Sequence, residues 1–252
     1  MLSLSTISEE LKATPVENLN DFIAKYSGDK RTGVQKLIAR AEKNITALKA
    51  EQERIEALRF FENKYQDEYS YICGIDEVGR GPLCGPVVAC AVILPKDCRI
   101  LYINDSKKLT AAKREELYDV IMKEAVSVGI GVVSPQRIDE INILQATYEA
   151  MRDAVGQLDP KPELLLNDAV TIPGLPMKQV AIIKGDSKSI SIGAASIIAK
   201  VTRDRMMVEY DAMYPGYGMA KNMGYGTKEH IEALKTLGPS PIHRKTFIGN
   251  FV

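Results

Sequence analysis

The chain has 252 residues, 45% hydrophobic and 26% charged, an ordinary globular balance with room for one large domain or one domain plus an appendage. Lys+Arg and Asp+Glu both number 33, so net charge singles out no partner, and a nucleic-acid site has to come from local segregation of charge. No long uncharged apolar run occurs, and the N-terminus MLSLSTISEELK lacks a basic segment ahead of an apolar core, which predicts no membrane contact, no export and a cytoplasmic location.

Residues 1–70 read as a helical N-terminal extension. Val34, Leu37, Ile38, Ala41, Ile45, Leu48, Ile55 and Leu58 recur at helical spacing through a Lys/Glu-rich stretch, and Gly28 and Gly33 bracket a break ahead of it. One or two short helices followed by one long amphipathic helix are expected there. Packing on the main domain or on a partner explains them more simply than chemistry does.

From Tyr71 the period changes, and residues 71–252 read as one α/β domain. Tyr71–Asp76 and Val87–Leu94 are apolar and β-branched and are joined by a Gly/Pro-rich connection, which predicts a hairpin. Thr110–Glu124 reads as a helix and Val126–Val133 as a third strand. Ser134-Pro135 offers an N-cap followed by Pro at the first helical position, opening a helix toward Val155. Glu163–Leu166 and Gln179–Lys184 are two further strands. Ser189–Met213 is a long helix, and Thr227–Leu237 a last one, stopped by Gly238-Pro239. Strands that pair directly and then alternate with helices imply a mixed sheet covered by helices.

Cys73, Cys84, Cys90 and Cys98 fall in one short stretch without a C-x-x-C pair, and the only histidines are His230 and His243. Reduced, partly buried thiols fit this pattern better than a structural zinc site.

Four acids stand where strands are expected to end: Asp76, Glu77, Asp168 and Asp186. Each alone reads most simply as a turn former or a solvated ion-pair partner. Together they suggest more, because ligand sites in α/β sheets gather where strand ends converge. Clustered carboxylates resist ionisation unless cations compensate them, and hard divalent ions with oxygen ligands, Mg²⁺ or Mn²⁺, suit that role. Neighbouring residues on a regular strand point to opposite faces, so Asp76 and Glu77 reach one site only if the strand breaks there. The segment Gly79-Arg80-Gly81 is neither a P-loop nor a complete dinucleotide fingerprint. It could still bring backbone N–H groups against a polar ligand, with Arg80 adding a phosphate-binding fork.

Near the C-terminus, YPGYGMAKNMGYGTKEH holds two Gly-Tyr-Gly units centred on Tyr217 and Tyr225. Rings flanked by glycine suit stacking on a base or sugar, and equally suit lids on a core. Residues 200–252 carry eight Lys/Arg against five Asp/Glu, a mild bias that usually marks only a solvated face.

Taken together, GIDEVGRGP (74–82), NDSKKL (104–109), KGDSKSISIGAASIIAKVTRDR (184–205), GYGT (224–227) and HRKTF (243–247) resemble the ribonuclease HII family, the type 2 ribonucleases H, over roughly residues 71–247. The resemblance implies a ribonuclease-H-like fold: a five-stranded mixed sheet flanked by helices, here with the N-terminal extension and a C-terminal helical segment. It implies metal-dependent endonucleolytic cleavage of RNA in RNA–DNA hybrids and 5′ of single ribonucleotides in duplex DNA, in support of ribonucleotide removal and DNA repair. It further implies that Asp76, Glu77, Asp168 and Asp186 form the catalytic and metal-binding set. Gly79, Arg80 and Gly81 would meet the ribose 2′-OH, Tyr225 would stack on the following sugar, and Lys107 would approach a phosphate. Asp204, eighteen residues past Asp186, is taken as a support of its helix. The chain is expected to act as a monomer. The sister family ribonuclease HIII, which carries Glu as its fourth acid, a non-catalytic nucleic-acid binding module, and a small-substrate phosphatase are the rival readings.

Overall fold

The computed structural model describes residues 2–252. These divide into two compact units, one running to Glu56 and the other spanning Ala57–Val252. The division falls inside a helix, earlier than residue 70 where the change of periodicity placed it. In the first unit, α1 (Leu4–Ala13), α2 (Leu19–Tyr26) and α3 (Thr32–Leu58) follow one another. Ser3 caps α1 by accepting from the Thr6 N–H. Ile7, Leu11, Leu19, Phe22, Tyr26, Val34, Ile38 and Ala41 close a small core of their own.

The second unit opens with α4 (Phe60–Tyr65) and is built on five strands: β1 (Ile72–Val78), β2 (Val87–Ile93), β3 (Ser127–Val133), β4 (Leu164–Asp168) and β5 (Lys178–Ile182). Their order is β3-β2-β1-β4-β5. The β1–β2 hairpin and the β2–β3 pair are antiparallel, whereas β1, β4 and β5 run parallel. Between them lie α5 (Ala111–Glu124) and α6 (Pro135–Gly156), and after β5 come α7 (Ile190–Met213), α8 (Met219–Asn222), α9 (Lys228–Leu237) and α10 (Lys245–Ile248). This is the expected five-stranded mixed sheet with flanking helices.

Alternation along β1 sorts its side chains. Cys73 and Ile75 join the core beneath α6, with Ile138, Ala150, Met151 and Ala154. Gly74 and Asp76 face α7. At Gly74 the helix comes so close that a Cβ would lie 2.1 Å from the Ser191 carbonyl carbon and 2.3 Å from the Ile192 nitrogen. A glycine is therefore the condition for α7 to lie on β1. The helix N-terminus is held from α4, where Glu62 accepts from the Ser189 hydroxyl and, at 3.0 Å, from the Ser191 N–H.

Three elements depart from the sequence reading. Strand β1 does not break at Asp76 and Glu77; both stay in register with β2, opposite Cys90 and Ala89, and pairing continues to Val78. Helix α6 is broken at Asn142 (φ 66°), whose side chain accepts from the N–H groups of Leu144 and Gln145 and so recaps the second half. Strand β5 ends at Ile182 rather than Lys184, because Lys184 takes the left-handed conformation and starts the Gly185–Ser187 turn.

Gly74→Ala is predicted to cost about 1–3 kcal/mol or more, since the obstruction is helix backbone rather than a movable side chain. Melting should show a Tm several degrees lower, while Gly156→Ala, with nothing within 4 Å of its Cβ, should leave Tm unchanged or raise it slightly.

Candidate active site

The parallel strands β1, β4 and β5 deliver their carboxyl ends to one edge of the sheet, where the four acids sit. Pairing of β1 with β4 ends at Ile75 opposite Asn167, so the next residues, Asp76 and Asp168, stand side by side on adjoining strands. Asp186 arrives from the turn between β5 and α7. Glu77, one residue beyond Asp76, is oriented by the Arg80 guanidinium 3.2 Å from its Oε1. Asp168 is fixed by a 2.7 Å hydrogen bond from the Gly185 N–H to its Oδ1, which ties β4 to the Asp186 turn.

This edge is short of positive charge. Burial pushes the Asp76 carboxyl well above the usual carboxylate range, and the charges of Glu77 and Asp168 push in the same direction. Burial likewise raises Glu77, with Arg80 opposing and Asp168 adding to the rise. Asp186 is raised by burial and by its acidic neighbours Asp105 and Asp168. Glu77 Oε2 is buried and has no hydrogen-bond partner among the described residues. An oxygen-only donor set with an unmatched buried oxygen and mutual repulsion is the chemistry that a hard divalent cation completes, so these residues fit Mg²⁺ or Mn²⁺. The continuity of β1 changes how Glu77 joins the set: it reaches the site from beyond the last β1–β4 pair, not through a break in the strand.

Beside the carboxylates runs the 79–86 connection, and what holds it was not visible in the sequence. The buried Arg244 guanidinium donates to the carbonyls of Gly79 (2.5 Å), Arg80 (2.9 Å) and Gly85 (2.8 and 3.0 Å). Arg203, buried on α7, donates to Pro86 (2.9 Å), Cys84 (3.0 Å) and Met223 (2.8 Å). Gly79, at φ 92°, leaves room for this, since a Cβ there would lie 2.3 Å from the Arg203 Nε. Drawing these carbonyls inward leaves the exposed Gly81 on the open side of the loop.

The two tyrosines part company. Tyr217 is buried, donates to the Gly238 carbonyl at 2.7 Å and packs on His243 with ring centroids 5.0 Å apart. Tyr225 is 45% exposed and its ring borders Gly81, where a Cβ would meet Tyr225 Cε1 at 3.8 Å. Lys107 is exposed in the Ser106–Lys108 turn, and its charge acts on Asp186. Asp105, which the sequence reading left without a role, brings a fifth carboxylate up to Asp186. Asp204 supports its surroundings, as expected, pairing with Lys200 at 2.7 Å and Arg114 at 3.9 Å. All four cysteines are buried free thiols. Cys84, His230 and His243 nonetheless converge, and among the described residues they are the one trio whose ligand atoms all lie within 4.8 Å of one another.

The five-stranded mixed sheet in the order β3-β2-β1-β4-β5, flanked by helices, has the ribonuclease-H-like fold. The Ribonuclease HII family profile matches residues 73–249, and the Ribonuclease HII N-terminal domain profile matches residues 3–66. A ribonuclease HII of Lachnoclostridium phytofermentans is 62% identical over 249 residues, covering 99% of this chain and 98% of that protein. One of Clostridioides difficile is 51% identical over 251 residues, with 99% and 98% covered. The crystal structure of the ribonuclease H2 from Pyrococcus horikoshii superposes with a TM-score of 0.60 at 30% identity, over 70% of this chain and 93% of that one. Bst-RNase HIII in complex with Mn²⁺ shares the fold, with a TM-score of 0.52 at 18% identity over 70% and 67% of the two chains. The chain belongs to the ribonuclease HII family, hydrolytic nucleases with ribonuclease H activity on RNA–DNA hybrids. No helix among the described residues is long and apolar enough to cross a membrane.

Repulsion at the carboxylates costs the metal-free fold stability. Asp76→Asn is predicted to raise the metal-free Tm by a few degrees, about 1 kcal/mol, and calorimetry in chelator checks the sign. The histidines give the opposite pH signature to the acids. Burial holds His230 low, and burial together with His230 brings His243 down to about 4. A group depressed in the fold contributes stability that is full above its unfolded pKa of about 6.5 and is lost as pH falls toward about 4. His243→Gln should flatten the fall in Tm between pH 6.5 and 4, and the difference from wild type cancels the carboxylate contribution.

Proposed function

We propose that the chain is a divalent-metal-dependent endoribonuclease that cuts RNA in RNA–DNA hybrids and also cuts 5′ of a single ribonucleotide embedded in duplex DNA, leaving 3′-hydroxyl and 5′-phosphate ends. In this reading it works as a monomer in the cytoplasm, in ribonucleotide removal and DNA repair. The observation that carries the reading is the glycine loop tethered through its carbonyls to Arg244, lying next to the acids at the end of β1.

A ribose differs from a deoxyribose only by its 2′-OH, which is both donor and acceptor. A loop of Gly79, Arg80 and Gly81 lets the sugar approach backbone groups closely, because no side chain intervenes at the glycines. Arg244 fixes that backbone before substrate arrives, so recognition involves little further ordering of the loop. The Tyr225 ring, exposed beside Gly81, suits stacking on the next sugar, and a flat apolar face there favours one that lacks a hydroxyl. Lys107 stands on the Asp186 side of the site, where a lysine meets a phosphate as a point charge.

Asp76, Glu77 and Asp168, with Asp186 completing the set, would hold Mg²⁺ or Mn²⁺. When bound, such ions supply charge neutralisation at the phosphate and a water made acidic enough to attack it in line. Arg80 neutralises part of the Glu77 charge in the metal-free fold and becomes available to a phosphate once Glu77 is otherwise engaged. The helical module ahead of residue 71 is an appendage to the catalytic domain in this scheme.

Cleavage mapping on a duplex with one ribonucleotide tests the activity and its metal dependence. One cut 5′ of the ribonucleotide, dependent on added Mg²⁺ or Mn²⁺, is expected. Asp76→Asn should slow it by at least about a hundredfold, because loss of a group one shell further out already costs 10–100-fold. Cleavage only within runs of ribonucleotides, or unchanged rates in the variant, would refute the reading.

A further inference from the structure

The buried trio of Cys84, His230 and His243 has no part in the scheme above, and its hydrogen bonds determine where each proton is. His230 Nδ1 lies 2.9 Å from the Tyr225 carbonyl, which can only accept, so Nδ1 carries the proton and Nε2 a lone pair. At the other end, both the backbone N–H of Ser240 (3.0 Å) and its hydroxyl (2.8 Å) meet His243 Nδ1; the N–H can only donate, so that nitrogen carries the lone pair and His243 Nε2 the proton. The two Nε2 atoms are 3.1 Å apart, and His243 donates to His230. Both rings are therefore neutral, and the chain runs one way: Ser240 N–H, His243, His230, Tyr225 carbonyl.

A metal at the trio would need the His243 Nε2 lone pair, leaving a proton on Nδ1 facing the Ser240 N–H. It would also place a dication among two buried guanidiniums, since Arg203 and Arg244 both act on Cys84. Burial drives the Cys84 thiol up to about 12, so it stays protonated and contributes packing, 4.0 Å from His230 Nε2.

We propose that His230 and His243 are positioning residues for Tyr225: the relay anchors the Tyr225 carbonyl to the Ser240–Arg244 segment and so holds the Tyr225 ring beside the glycine loop. The geometry of the turn makes this anchor consequential. The Tyr225 carbonyl accepts from Thr227 N–H at 2.8 Å as well as from His230, and the neighbouring Gly224 carbonyl accepts from Leu83 N–H at 2.8 Å. On the other side of the same loop, Leu83 accepts from Arg244 N–H at 2.9 Å, and Gly85 N–H donates to the Ile242 carbonyl at 2.9 Å. The glycine loop, the second Gly-Tyr-Gly turn and the 240–244 segment thus form a triangle. Backbone bonds close two of its sides, and the histidine relay closes the third. Tyr217 packs on both imidazoles, which are buried. The inference rests on the reading of Tyr225 as a substrate contact.

Steady-state cleavage of a duplex with one ribonucleotide, by the full chain, tests the relay. His230→Leu removes the donor to Tyr225 and should raise KM about five- to tenfold, the worth of about one hydrogen bond, with kcat nearly unchanged. His230→Asn, whose amide can donate from near the Nδ1 position, should restore most of the KM. A pure core-filling role would lower Tm for both variants without separating their KM values. In a Tyr225→Ala background His230→Leu should leave KM where Tyr225→Ala puts it; equal effects in both backgrounds would overturn the relay while sparing the Tyr225 assignment. An unchanged KM in Tyr225→Ala alone would overturn that assignment and the relay with it. Should His230→Leu not fold, His243→Asn keeps the Ser240 acceptor but stops short of His230, and a KM rise of about two- to threefold is expected; an unchanged KM would count against the relay. One bound zinc per chain after dialysis against Zn²⁺, lost in Cys84→Ser, would also overturn it.

Discussion

Two buried guanidiniums whose partners are backbone carbonyls organise the glycine loop beside the carboxylates. Arg203 comes from the middle of α7 and Arg244 from the approach to α10, and between them they take up carbonyls of Gly79, Arg80, Cys84, Gly85, Pro86 and Met223. Burial lowers the pKa of both, Arg244 to about 10, yet both remain charged at neutral pH. A buried charge is tolerable only when its hydrogen-bonding capacity is met, and hydrogen bonds to charged groups contribute about 1.5–3 kcal/mol each. The arginines need the loop as much as the loop needs them, and lysine, with a single point of charge, could not span the same carbonyls.

This arrangement sets a positive, satisfied region against a negative, unsatisfied one. At the end of β1 the acids repel one another, and Glu77 Oε2 lacks a partner among the described residues. A few residues further along the chain every guanidinium nitrogen of Arg244 finds a carbonyl. The first region is left incomplete, which suits the cation proposed for it; the second is complete within the fold, which suits the backbone recognition proposed for it. Arg80 bridges the two, in the glycine loop by sequence and paired with Glu77 by side chain.

The strands themselves, the β1–β2 hairpin and the placing of Asp168 at the end of β4 were legible because apolar runs and Gly/Pro breaks are local signals, whereas the order β3-β2-β1-β4-β5 depends on long-range pairing. The course of β1 past Glu77 was not. Two carboxylates and a glycine resemble a strand end, but β2 supplies partners as far as Val78, and ladder pairing overrides the local composition. Tyr217 and Tyr225 sit in identical Gly-Tyr-Gly frames, and only the fold, by bringing His230 and His243 under one of them, makes it a core lid and leaves the other exposed. The roles of Arg203 and Arg244 were hidden for another reason. Their partners are carbonyls, which every residue carries, so no residue type in the sequence marks the contact. The Cys84–His230–His243 trio spans 160 residues of sequence and has no spacing to recognise.

Helix α7 keeps the carboxylate edge and the glycine loop at a fixed separation. Its first turn is pressed on Gly74 and held by Glu62. Ser196 then donates to the Ser106 hydroxyl at 3.0 Å and lies against the Asp76 carboxyl, so the helix touches both the carboxylate and the turn that carries Lys107. Seven residues on, two turns and about 10 Å along the same face, Arg203 enters the glycine loop. A helix is stiff over that length, and neither end can move without the other. The separation between the carboxylate edge and the glycine loop is thus set by two turns of one buried helix. That explains why α7 is buried through nearly all of its first half, and why the residue beneath its first turn has to be glycine.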